Sequence, residues 1–162
     1  MHDGNSGNRM YVLAENEGKA IWFANALMLV KADSQATDGR LAVMDQRVPG
    51  GYAVPRHVHH AEDEAWYILE GDATFYCGDD RVAASRGAWV FLPKDIPHAF
   101  KVGPAGARLL TFSAPSGFAD FVQAAGEPAP ALAIPPEAPL DLEKLVTIAA
   151  KYGVEIVGPP PQ

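Results

Sequence analysis

The sequence predicts a mostly β fold, a small antiparallel sandwich or barrel with a C-terminal α-helix, and three observations carry the β part of that prediction. Short apolar bursts recur at near-regular spacing through the first two thirds of the chain. Gly, Asp and Pro mark the corners between them. No long helical pattern alternates with the bursts, which argues against a parallel α/β sheet.

In order, residues 1–9 are polar and rich in Gly and Asn, and read as a flexible tail in which His2 is solvated. The tail has no apolar h-region, so it does not resemble a signal peptide, and cytoplasmic is the default expectation. Strands are expected at 19–23, 27–31 and 41–48, with Asn25 at the first turn and a polar loop over 33–39. They continue at 54–59, 64–69, 73–76, 81–84, 89–92, 98–101 and 107–112. Turns are read at Glu70-Gly71-Asp72, Cys77-Gly78-Asp79-Asp80 and Arg86-Gly87. These strands place a barrel over 10–116.

The remainder, 117–162, reads as an extension of three parts. Residues 117–125 fit a short helix with Phe118, Phe121 and Val122 on one side, and 127–139 is a Pro- and Ala-rich strap. A helix over 141–152 follows, with Asp141 as N-cap and Leu142, Leu145, Val146 and Ala149 at helical spacing. That apolar face fits either its own barrel or a partner subunit.

Composition excludes several functions. With 13 Lys and Arg against 20 Asp and Glu, the formal charge is -7 and no basic run exists, so nucleic acid is not an expected partner. No apolar run approaches the roughly 18 residues needed to span a bilayer. The one cysteine, Cys77, has no partner for an internal disulfide and reads as a small buried apolar residue.

The chemistry concentrates in residues 51–71. His57 and His59 are two apart, so on a strand they project from one face, and Glu64 on the next strand can reach the same spot. Imidazole and carboxylate groups converging in this way suit a divalent first-row metal. His60 alternates to the opposite face and reads as a surface or interface residue. Glu62 and Asp63 are rival carboxylates that fit a solvated turn better.

Here the sequence resembles the cupin family. Its first motif, G-x5-H-x-H-x4-E-x6-G, is matched by Gly51, His57, His59, Glu64 and Gly71, and its second by Gly87, Pro93 and His98. Asp95 stands where the family often has Gly, and Val102 where it often has Asn. The resemblance implies a single jelly-roll barrel of two antiparallel sheets with one divalent transition metal in its mouth. The implied ligands are His57, His59, Glu64 and His98. Fe, Ni, Co, Cu, Mn and Zn all suit them, and the sequence does not choose among these.

Within the cupins the His-Val-His-His-Ala-Glu-Asp-Glu and Ile-Pro-His-Ala-Phe segments resemble bacterial quercetinase-like dioxygenases. That likeness implies cleavage by O2 of a flavonol or a related enolic or phenolic molecule, with Glu64 also taking the substrate's proton. Alternation from Glu64 and His98 makes Trp66, Ile68 and Phe100 candidate walls for a flat substrate, equally suited to filling the barrel. Phe118 and Phe121 would cap the open end. A non-oxidative isomerase, lyase or cyclase, and a non-enzymic metal or small-ligand binder, are the competing readings. Open sheet edges would fit a homodimer.

Overall fold

The computed structural model describes residues 9–162 of the chain; the expectations for the tail and His2 fall largely outside them. Ten strands and three helices follow in the order β1 (Lys19–Phe23), β2 (Ala26–Ala32), α1 (Ser34–Thr37), β3 (Ala42–Val48), β4 (Arg56–His59), β5 (Asp63–Cys77), β6 (Asp80–Ser85), β7 (Trp89–Leu92), β8 (His98–Ala114), α2 (Gly117–Ala125), β9 (Glu127–Pro128), α3 (Leu142–Lys151) and β10 (Val154–Gly158). Every strand pairing is antiparallel. The jelly-roll expectation is met.

Local chemistry explains most of the corners. Ala24 and Asn25 both take positive φ, 47° and 63°, which is the two-residue turn that matches strand twist and joins β1 to β2. The polar loop expected over 33–39 contains instead the single turn of α1, capped by Asp33, whose side chain accepts from the Ala36 N–H.

The largest departure from the sequence reading is continuity. β5 and β8 are each one long strand where two short ones were expected, and they pair along almost their whole length. The expected turn at Glu70-Gly71-Asp72 is a bulge inside β5, where the register slips on either side of Gly71. At Gly71 φ is 77°, and a Cβ there would stand 2.2 Å from the Gly106 carbonyl oxygen of β8. Glycine lets the two strands bend together at that point without parting.

The core fills the barrel with Met28, Met44, Trp66, Ile68, Phe75, Phe100, Leu109 and their neighbours. Cys77 is half-buried and packs against it. A second cluster joins Phe121 of α2, Ala149 of α3 and Val154 of β10, with Phe23, Phe118, Leu145 and Tyr152 packed around it. Part of the apolar face of α3, Ala149 with Leu145 and Ile148, therefore packs on its own chain, while Leu142 and Val146 stay exposed. The sheet also does not stop at residue 116, because β9 pairs with β1 and β10 pairs with β4. Among the described residues no helix is long and apolar enough to cross a membrane.

Candidate metal centre

The site is assembled from three strand ends. β4 supplies His57 and His59, β5 opens on Glu64 one residue in, and β8 begins with His98. His57 and His98 face each other as a cross-strand pair, their ring centroids 4.4 Å apart. The His59 ring lies 5.1 Å from that of His57 and stacks nearly parallel to that of His98 at 5.5 Å. One donor atom from each of His57, His59, Glu64 and His98 lies within 4.8 Å of all the others. The structure brings all four expected ligands together.

Hydrogen bonds on the far side of each ring decide which nitrogen is available. His57 Nδ1 lies 2.7 Å from the Pro55 carbonyl oxygen, and His98 Nδ1 lies 3.0 Å from that of Ile96. A carbonyl only accepts, so both Nδ1 atoms carry the proton. Pro97 shapes the turn that brings Ile96 into place, since the residue before a proline is held extended. His59 Nδ1 lies 3.1 Å from Glu62 Oε2. All three rings thus turn their Nε2 atoms inward.

Around Glu64 the fit to a cation is direct. Its Oε2 is 2.7 Å from His98 Nε2 and 3.2 Å from His59 Nε2. The second contact lacks hydrogen-bond geometry, and His59 Nε2 is fully buried with no partner. A buried donor or acceptor left unmatched costs roughly 1–3 kcal/mol, which a bound divalent ion would recover. The donor set of three imidazole nitrogens and one carboxylate oxygen suits such an ion.

Charge follows the same arrangement. Burial drives the His57 imidazole down to about 4, helped by positive charge on His98 and His59 and opposed by Glu64. For Glu64 burial works upward, but charge on His59 and the hydrogen bond and charge of His98 outweigh it and hold the carboxyl at about 2. His59 is lowered by burial and raised further by Glu64 and Glu62, so its net shift is upward. At neutral pH His57 is therefore neutral and Glu64 ionised, as ligands must be.

Glu62 corrects the sequence reading. It is not on a solvated turn but 2% exposed, with its carboxylate between His59 and the start of α2. A Cβ on Gly117 would come within 2.3 Å of its Oε1, so the glycine makes room for it. The available signal was position, three residues after His59 on a tight corner. Asp63 does lie at the rim, where it accepts from the Lys94 N–H. His60 is half-exposed and bridges Asp95 and Glu155 through its two nitrogens, at 3.0 and 2.9 Å. Asp95 takes φ 65°, the left-handed conformation that glycine adopts most freely and Asp tolerates.

An apolar cavity of about 80 Å3 adjoins His57. Of the side chains that line it only His57 and Tyr52 are polar, and burial pushes the Tyr52 phenol up so that it stays protonated. Phe118 and Phe121 form part of this lining, and the Phe118 ring stands edge-on to His59 at 5.1 Å. Trp66, Ile68 and Phe100 lie elsewhere, in the core cluster and not among the residues lining this cavity. Trp66 sits 6.4 Å from the His98 ring, and its buried Nε1–H has no partner.

Comparison with known proteins bears on the fold that carries this site. Residues 44–112 match the family model described as Cupin domain. Quercetin 2,3-dioxygenase of Bacillus subtilis (strain 168) is 25% identical over 118 residues, which is 73% of this chain. The match covers 35% of that relative, so the chain spans about a third of its length. Among solved structures, a predicted oxalate decarboxylase from Thermotoga maritima superposes with a TM-score of 0.59 at 19% identity, covering 65% of this chain and 99% of that one. The polyketide cyclase RemF from Streptomyces resistomycificus gives 0.56 at 21% identity, covering 67% and 80%. At such identities the structural neighbours establish the shared fold.

Proposed function

We propose that this chain, a monocupin resembling quercetinase-like proteins, is a metal-dependent dioxygenase that cleaves a flavonol or a related enolic or phenolic small molecule. The observation that carries the reading is the convergence of His57, His59, Glu64 and His98 beside an apolar cavity whose only polar side chains are His57 and Tyr52. A divalent transition metal held by those four residues would supply Lewis acidity toward a chelating hydroxyl and redox access to O2.

The chain's own residues do the rest. Phe118, Phe121 and Val154 present a dry wall that suits a flat aromatic ligand and keeps water from the reacting carbons. Glu64 is the one carboxylate in the cluster and is the base we assign to the substrate hydroxyl. Its carboxyl is held low and is ionised at neutral pH, so it has an oxygen free to accept that proton. Tyr52, kept protonated, lines the cavity, and we assign it the donation of a hydrogen bond to a ligand oxygen there.

The test is O2 uptake by metal-reconstituted protein with quercetin and with a β-diketone, under air and under argon. Uptake coupled to substrate loss is expected for wild type. Glu64→Gln should keep metal and lose turnover, and full activity in that variant would remove Glu64 from the role. Conversion under argon would point to a non-oxidative lyase, isomerase or cyclase, and binding without conversion to a binding role.

A further inference from the structure

The cavity beside His57, at about 80 Å3, falls well below the roughly 300–1,000 Å3 of pockets that enclose drug-sized ligands. Directly outside it lies a groove of about 500 Å3 between the β1–β2 turn and the strap. The two spaces share Phe23, Ala24, Leu140 and Leu145, so the same side chains wall both.

Part of that wall is weakly held. Residues 129–140 form no helix or strand and are almost all exposed. Hydrogen bonds fix them instead: Ala129 N–H to the Ala20 carbonyl, Trp22 Nε1–H to the Ala133 carbonyl at 2.8 Å, and a clamp by Asn25. Asn25 Nδ2 donates to the Ala138 carbonyl at 2.9 Å while its Oδ1 accepts from the Ala138 N–H at 3.1 Å. A segment with little buried apolar surface opens at far lower cost than the core.

We propose that groove and cavity are two halves of one elongated site for a multi-ring aromatic chelator, with Leu140 as the partition between them. The chelating end lies at His57 and the distal ring in the groove against Trp22 and the strap prolines. A single-ring phenol binds without moving the strap, whereas a longer chelator displaces Leu140 and breaks the Asn25 clamp. Asn25 thus sets selectivity by size. This rests on the cavity beside His57 being the ligand site; it does not rest on the reaction being oxidative.

The experiment is calorimetric binding of catechol and of quercetin to the full chain reconstituted with Ni2+, under argon, in wild type, Asn25→Gly and Leu140→Trp. Glycine keeps the left-handed backbone at residue 25 and removes the clamp, while tryptophan thickens the partition. Catechol affinity should hold constant between wild type and Asn25→Gly, because Asn25 lines the groove and not the cavity. Quercetin should bind about tenfold more tightly to Asn25→Gly, the equivalent of two hydrogen bonds it no longer has to break, and about tenfold more weakly to Leu140→Trp. Hydrogen exchange over residues 129–140 should speed up in Asn25→Gly, with the melting midpoint confirming that each variant folds.

Quercetin affinity that moves no more than that of catechol would overturn the two-part site, as would failure of quercetin to bind at all. Quercetin that follows this pattern yet survives under air would retire the dioxygenase reading and leave the site standing. Quercetin consumed under air with no effect of either variant would do the reverse.

Discussion

Two residues beside the ligands lend themselves to direct tests. Glu62 holds the His59 ring so that its unpaired Nε2 faces Glu64, and outer carboxylates of this kind are worth about 10–100-fold in metal affinity. Glu62→Ala should lose affinity on that scale in a chelator competition. Gly117→Ala, which crowds the same carboxylate from α2, should lower it too. Unchanged affinity in both would assign Glu62 to packing alone. His57 yields a pH prediction for the metal-free protein. Its folded value of about 4 lies below the ordinary 6.5, so between those values the unfolded chain binds the extra proton. The contribution is fully present above pH 6.5 and is lost as pH falls toward 4, with an upper bound of about 3 kcal/mol given the partial exposure of the ring. Urea titrations from pH 7 to pH 4 should show that loss, and His57→Asn should show a smaller one. The ligands themselves were legible because a strand's two-residue period converts His-x-His into a shared direction. Glu62 was not, because burial of a corner residue depends on α2, more than fifty positions away in the chain.

At the scale of elements, the ligand strand β4 depends on the end of the chain. It pairs with β8 only at His57 and His98, but with β10 through Val154, Glu155, Ile156 and Gly158. Ending the chain at Tyr152 should therefore weaken metal binding, by about tenfold or more if β4 loses its register. The β-type circular dichroism carried by β5 and β8 should persist. Affinity equal to the full chain's would mean that β4 is held by its flanking turns alone. The sequence showed α3 through its cap and its apolar spacing, but β10 is five residues beside a poly-proline end, too short for a pattern to declare. The same limit explains β5 and β8. Gly71 looks like a turn in sequence, and only its neighbour Gly106 on the paired strand makes it a bend inside a continuous ladder.

Across the whole molecule, the four ligands gather chain positions 57, 59, 64 and 98, and β10 adds the C-terminal end to the strand that carries two of them. A metal bound there joins segments that are distant in the unfolded chain and absent as a site from it, so binding is linked to folding. At a free metal concentration about a hundred times Kd the linkage amounts to about 2.7 kcal/mol. For a chain of this size that corresponds to a rise of about 5–10 °C in the melting midpoint. Differential scanning fluorimetry across a series of Ni2+, Fe2+, Co2+ and Zn2+ concentrations should show a midpoint that climbs with the logarithm of metal. His98→Ala should flatten the climb while leaving the metal-free midpoint comparatively close to wild type. A midpoint indifferent to every metal would contradict a metal centre, however well the four side chains converge. The order of the metals in that series would also supply what neither sequence nor fold encodes, because imidazole and carboxylate donors accept each of these ions and the barrel holds the donors alike for all of them.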